Sequence, residues 1–400
     1  MPSRVQTAMR FSAAVSRERD AAQAGRSLGQ AARRDLDGLS ADLACLFFSP
    51  HHVDSIDELV EAVRRELNPG LLLGCSGEGV IGGGEEIESA PAVTLWTASL
   101  PGVSLTPIHL PAGRDEHGAS MDGWPGRRHD GASPPSLLLL ADPFSAPMEE
   151  VFESLAERCY GAPAIGGLAG GGRDEGGNRL VLNGNIYSSG LVGVAVSGPV
   201  SIRTVISQGC RPIGERYMVT RSEQNIIHEL GGVPTLERLK ALFASLSNDE
   251  QQLAQRALHL GVVMDETRNR FERGDFLVRN LIGADQQTGS VAIGDIVKEG
   301  QTIQFHLRDA QSATEDLHLM LAAERARHPK PPLGALLFSC CGRGRGLFGL
   351  PHHDVSIVRE RAGEIPIAGF FAQGEIGPVG GRNFLHGYTA SVVLFSEPDV

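Results

Sequence analysis

The sequence predicts an α/β (α+β) chain of two domains, in which repeated strand-helix-strand-strand units build mixed β-sheets covered by helices. Three observations carry this expectation. Short apolar strand patterns recur, amphipathic helical stretches follow the first two of them, and each unit returns to a glycine-rich turn at a nearly constant interval. That interval is 28 positions from Leu46 to Gly74, 28 from Leu138 to Gly166 and 33 from Leu336 to Gly369.

In chain order, Phe11–Ser16 reads as a strand and is followed by a helix through Ala32. Leu46-Phe47-Phe48-Ser49-Pro50 opens the first unit as a buried-strand pattern ending in turn residues. From Asp54 to Leu67, Ile56, Leu59, Val60, Val63 and Leu67 share one helical face, with Ser55 and Glu58 spaced as a capping box. Leu71-Leu72-Leu73-Gly74 then returns as a strand, and Ala92–Leu100 completes the unit. The second unit repeats this with Leu138–Pro143, a helix from Met148 to Ala156, Ala164-Ile165-Gly166-Gly167 and Leu191–Val196. Between these units, the Gly-, Pro-, His- and Asp-rich stretch Asp115–Pro135 reads as an irregular loop. Tyr217–Leu230 reads as a hairpin, and Gly231-Gly232-Val233-Pro234 as the junction, giving domains 1–230 and 231–400. Beyond it come a helix at Leu236–Leu246, a strand at Thr302–Leu307 and a helix from Ser312 to Ala326. The third unit follows, with Leu336–Cys340, Ile367–Phe371 and Tyr388–Phe395. An echo ties it to the first: Pro50-His51-His52-Val53-Asp54-Ser55-Ile56 against Pro351-His352-His353-Asp354-Val355-Ser356-Ile357.

Composition narrows the function. Glycine occupies 50 of 400 positions without a Gly-X-Y period, which points to turns and close backbone approaches. A net charge of −12 opposes nucleic-acid binding, because the densest basic run, Arg343 with Arg345, is too small to overcome it. No apolar run reaches membrane-spanning length, and Met1–Ser16 lacks a secretory apolar core. Its lack of acidic residues before Glu18 leaves a transit peptide as a weaker reading. Six scattered cysteines without a CxxC pair read as reduced thiols, so a cytoplasmic location is expected.

Several motifs compete. Gly344-Arg345-Gly346-Leu347-Phe348-Gly349 matches GxGxxG after a strand, yet Pro351 and two histidines interrupt where a phosphate-binding helix should begin. The clusters around His51-His52 and His352-His353 carry metal-ligand residue types. Neighbouring residues at a helix start diverge, however, so no metal site is expected. Cys340, with His386 and Glu375, supplies the types for a thiol nucleophile, its base and an orienting acid, which leaves a Cys-dependent hydrolase or transferase as an alternative. Cys75-Ser76-Gly77-Glu78 suggests a tight turn but lacks the GxSxG spacing. The competing reading is a binding cradle. Glycines 77, 166, 167, 369 and 374 would let backbone N–H groups approach a ligand, Glu78 or Glu375 would suit an ammonium group, and Arg343 would suit a carboxylate. An amino-acid-like ligand needs that combination.

Phe338-Ser339-Cys340-Cys341-Gly342-Arg343-Gly344, the run Pro366–Pro378 and His386-Gly387-Tyr388-Thr389-Ala390 together resemble the FIST C-terminal domain. Gly74-Cys75-Ser76-Gly77, Ala164-Ile165-Gly166-Gly167 and Val219-Thr220 are similar to its N-terminal companion. The resemblance spans nearly the whole chain. It implies a non-enzymatic sensory protein for a small ligand, amino acids among them, with Thr389 joining the candidate ligand residues above. Some members are haem sensors of nitric oxide, so a haem-based gas sensor ligated by His386 or one of the paired histidines is a further alternative. No F-box, kinase, cyclase or methyl-accepting motif is present, so signalling would pass through a separate partner. Cys341 stands where the family pattern has asparagine.

Overall fold

The computed structural model describes residues 8–398 apart from 113, 116, 117, 120–123, 125–133, 160, 269 and 272. Most of the expected loop Asp115–Pro135 lies outside the described residues. The chain divides into two compact units. One comprises Met1–Ile206, His318–Leu385 and Thr389–Val400, and the other Ser207–Leu317 and His386–Tyr388.

All three sequence copies lie in the first unit. In each, the opening strand pairs in parallel with the returning strand and antiparallel with the closing one. Copy one uses Leu43–Phe48, Leu71–Ser76 and Val93–Ser99. Copy two uses Ser136–Ala141, Ala164–Leu168 and Leu191–Ser197. Copy three uses Gly334–Cys340, Ile367–Ala372 and Ala390–Ser396. The helices Ile56–Leu67, Met148–Arg158 and His353–Ala362 provide the parallel crossovers. These strands are buried almost end to end because both faces are covered.

The registers put Leu46 opposite Gly74, Leu139 opposite Gly166 and Leu337 opposite Gly369. At each of these glycines an added Cβ would overlap the carbonyl of the opposing leucine, so the recurrent glycine is a condition of strand contact. Taking these positions as equivalent, three backbone bonds coincide. Ser49, Asp142 and Cys340 each lie three residues after the aligned leucine, and their N–H groups donate to Ala92, Gly190 and Thr389 oxygens, all at 2.9 Å.

Each copy also carries a hairpin after its returning strand, and the hairpins are exchanged cyclically. The copy-one hairpin, Gly79–Gly82 with Glu85–Glu88, adds to the copy-three sheet through Ala368–Phe370. The copy-two hairpin, Leu180–Leu182 with Asn185–Tyr187, adds to copy one beside Leu73–Cys75. The copy-three hairpin, Glu375–Val379 with Arg382–His386, adds to copy two beside Gly166–Gly167. Three six-stranded sheets result. They share one core, at whose centre the rings of Phe47, Phe338 and Phe370 lie 5.1 to 6.0 Å apart.

The expected Ser55–Glu58 capping box does not form. Pro50–Ser55 is a 3-10 turn running straight into the helix, and Ser55 (φ −116°, ψ 25°) lacks the extended backbone that aims an N-cap oxygen at the first turn. A capping box does form at Ser247 and Glu250, where Ser247 is extended.

The second unit is an antiparallel barrel. Cys210–Glu223, Thr302–Arg308, Leu258–Val263, Phe276–Ala284, Val291–Ile293 and Ile226–Leu230 pair in that order, and the last returns to the first. The long first strand reaches both neighbours by bulging at Ile213–Arg216 and Val219–Ser222. Ile213, Val219, Leu260, Ile303 and Phe305 fill the interior. Among the described residues no helix is long and apolar enough to cross a membrane.

Candidate functional site

At the C-terminal ends of the returning strands, where parallel α/β sheets commonly bind ligands, the three glycine-rich turns interlock. Glu78 N–H donates to Phe371 oxygen at 3.1 Å, Gly170 N–H to Ser76 oxygen at 3.0 Å and Gln373 N–H to Leu168 oxygen at 3.2 Å. Each copy thus binds the strand end of another, closing a ring in which Glu78 and Gln373 have exposed side chains.

Behind the copy-three turn lies a buried polar nest. Arg343 forks onto Asp354, with Nε to Oδ2 at 2.6 Å and the second nitrogen to Oδ1 at 2.8 Å. Both side chains are fully enclosed. Ser339 Oγ donates to the same carboxylate at 2.8 Å, and His353 Nδ1 lies 3.0 Å from it. Burial alone would raise the Asp354 carboxyl, but the Arg343 charge and fork, with the His353 and Ser339 bonds, hold it well below the carboxylate range. The Arg343 guanidinium also sits over the Phe348 ring at 5.2 Å.

Glu86, from the exchanged copy-one hairpin, reaches the same place. Its two oxygens accept the His353 and Val355 N–H groups at 3.1 and 2.9 Å, capping the helix His353–Ala362. Burial, and then the nearby Asp354 charge, push Glu86 up to about 7.

Glu375 is the second unusual acid. It is fully buried, and its Oε2 accepts the Thr389 N–H at 3.0 Å and hydroxyl at 2.5 Å, while Oε1 has no hydrogen-bond partner among the described residues. Burial, and then Cys340, raise its carboxyl well above the usual range against the opposing pull of Thr389 and Arg343. The registers make it equivalent to Val80 and Leu180, because these three residues oppose Gly167, Phe370 and Cys75. Both counterparts are fully buried and apolar.

The structure therefore brings Cys340, Arg343, Glu375 and Thr389 together, and Gly374 lies in the turn beside them. Cys75 sits in the core, paired in register with Leu180, and burial followed by the neighbouring Cys45 raises its thiol far up. Ser76 is enclosed, donating toward Asn178 at 3.5 Å and accepting the Arg179 N–H at 3.2 Å. Gly77 packs on Phe370, Gly167 on Ala372, and Gly166 and Gly369 serve strand contact. His386 is assigned to the other compact unit. The GxGxxG segment forms only a four-residue helix, Arg345–Phe348, ended by Gly349 at φ 72°, so no phosphate-binding helix follows it. Among the described residues no three His, Cys, Asp or Glu side chains are grouped to hold a metal.

Reasoning from sequence missed Ser339, Asp354 and Glu86 as members of the nest. The His352-His353-Asp354 echo signalled the second of these, because the first copy has Val53 where copy three has Asp354.

A triplicated α+β unit holding one buried acidic nest, together with a small barrel, defines the class. The chain belongs to the FIST family: the FIST N domain matches residues 42–233 and the FIST C domain residues 235–378. FIST domains are in general small-ligand sensory domains. An uncharacterized protein of Mycobacterium tuberculosis is 43% identical over 389 residues, covering 97% of this chain and 100% of the relative. One of Mycobacterium bovis is 42% identical, covering 97% and 99%. An F-box/LRR-repeat protein of Arabidopsis thaliana is 23% identical, covering 76% and 67%. Among solved structures, a cyanuric acid hydrolase from A. caulinodans aligns over 98% of this chain and 100% of its own, at 9% identity and a TM-score of 0.31, too low to carry an argument.

Proposed function

We propose that this chain is a non-enzymatic sensor whose ligand is a small polar molecule bearing an ammonium group, with amino acids the class that fits best. The observation that supports this is Glu375. A carboxyl kept in the core with one oxygen unpartnered costs stability, while the other two copies place valine and leucine there. An ammonium donor at Oε1 would offset that cost. Cys340 and Thr389 would flank the ligand, and Gly77, Glu78 and Gly374 would form its approach through the ring of turns. Arg343 would position the loop rather than grip a carboxylate, since its fork is occupied by Asp354. None of the six cysteines, all among the described residues, forms a disulfide, which suits a reducing cytoplasm, and the signal would pass to a separate protein.

The test is calorimetry and thermal shift of the purified chain against amino acids and simple amines. Binding that requires an ionised Glu375 expels a proton, so affinity should rise with pH and disappear in Glu375→Gln. Equal binding by the wild type and Glu375→Gln at every pH would overturn the reading.

A further inference from the structure

We propose that the first compact unit carries a separate oxyanion-binding site where the strand Ser201–Ser207, the helix Ala310–Arg327 and the C-terminal end of the helix His353–Ala362 meet. A cleft of about 250 Å3 lies there, lined by Arg203, Arg325, Lys330 and Arg361 against one carboxylate, Glu324. Four fixed cations to one anion is a local excess in a chain whose net charge is −12.

Arg203 is the built element of the site. Its side chain is 7% exposed, it pairs with the equally buried Glu324 at 3.2 Å, and its Nε has no hydrogen-bond partner among the described residues. Its two terminal nitrogens lie 3.4 Å from the His328 and Lys330 oxygens. Arg325 has no ion-pair or hydrogen-bond partner among the described residues. Arg361 Nε donates to His318 Nδ1 at 2.9 Å, and Lys330 Nζ to the Pro398 oxygen at 2.9 Å. Arg361 also lies 3.7 Å from the exposed Glu360.

Cations do collect at helix C-termini for purely structural reasons, because the carbonyl ends attract them. That role accounts for the Arg203 terminal nitrogens and for Glu324, which neutralises one charge. It leaves the Arg203 Nε and the Arg325 guanidinium unused, on two residues that line the cleft. A fork with free donors is what a carboxylate or phosphoryl group takes.

Size limits the ligand. Across the whole cleft the space open to the centre of a water-sized group is about 10 Å3, so only a small head group enters. A single oxyanion head fits with its remainder in the open cleft, where Leu321, Pro332 and Leu394 offer a short apolar wall. The class is therefore a small oxyanion, either a free phosphate or the head of a short organic acid.

The experiment titrates the whole chain with inorganic phosphate, sulfate, acetate and succinate at ionic strength held constant with sodium chloride, reading the unfolding midpoint. A saturating rise with at least one of these over chloride is expected. Phosphate and sulfate acting alone would assign a free inorganic anion, and acetate or succinate acting would assign an organic acid. Arg325→Gln, an exposed change that should fold, is expected to weaken the effect about tenfold. Arg203→Gln should abolish it if the variant folds. The site is independent of Glu375, so Glu375→Gln should retain the full anion response. A rise that chloride reproduces, or one undiminished by Arg325→Gln, would overturn the proposal.

Discussion

Copies one and three share strand order, crossover, exchanged hairpin and even the His-His echo, yet they differ at the points where chemistry could occur. Copy one has Ser49, Val53 and Val80 where copy three has Cys340, Asp354 and Glu375. The architecture tolerates apolar residues at two of these positions, so the copy-three acids are not required by the fold. Three equivalent positions in one chain act as an internal control that a single domain does not offer.

The sharpest way to break the comparison is to give copy one the acid of copy three. Val80 is fully buried, and the Ala92 N–H that takes the place of the Thr389 N–H already donates to Ser49 Oγ, so Val80→Glu would bury a carboxyl without that compensation. A loss of about 4 kcal/mol or more is expected in chemical denaturation. A tolerated Val80→Glu would show that the position is wet or pliable in all three copies, and the argument from Glu375 would fall.

Next in size is the ion pair that copy one lacks. Arg343→Ala leaves Asp354 buried with only Ser339 and His353, which should cost about 3–5 kcal/mol. Arg343→Met with Asp354→Leu should recover most of the loss, since copy one does without the pair. If the double variant is as unstable as the single one, the pair is an architectural element rather than an addition.

Much of this fold was legible in the sequence. Leu46, Leu138 and Leu336 marked the opening strands, and Gly74, Gly166 and Gly369 marked the returns, because both signals depend on local pattern and a fixed strand contact. The hairpin exchange was not legible. Gly79–Gly82 pairs with Ala368–Phe370 across almost 300 residues, and nothing local states the partner. The equivalence of Val80, Leu180 and Glu375 depends on that exchange, so the anomaly of Glu375 could not be seen from spacing. The barrel was also missed in part. Leu258–Val263 and Val291–Ile293 are short, and closure comes from bulges in the single long strand Cys210–Glu223. The sequence offers Arg343 to a ligand carboxylate because its partner, Asp354, lies across a turn whose path the glycines of 342–349 leave open.

A third test uses proton linkage. Glu86 is raised to about 7 in the folded chain from an ordinary value of about 4.5. The stability it contributes is therefore present below about 4.5 and is lost as pH rises through about 7, on the order of 3 kcal/mol in all. Glu375 is shifted the same way and adds to the loss. Asp354 is depressed, so its contribution is present above the ordinary carboxylate range and is lost only as pH falls through its folded value. Stability should accordingly decline from weakly acidic to neutral pH. Glu86→Gln and Glu375→Gln should each flatten that decline. A slope unchanged in both variants would assign it to groups outside the nest.

The smallest expected effect separates structure from function at the position after each opening strand. Ser49 Oγ accepts the Ala92 N–H at 3.0 Å, so Ser49→Ala should cost about 1 kcal/mol and leave ligand response intact. Cys340 is nearly buried in the equivalent place, and Cys340→Ala removes one sulfur from a packed site, again at about 1 kcal/mol. The two variants should be indistinguishable by denaturation. They should differ in calorimetry, because only the copy-three residue adjoins Glu375, whose carboxyl responds to it. If both variants bind ligand as the wild type does, Cys340 belongs to the architecture, and recognition narrows to Glu375 and Thr389.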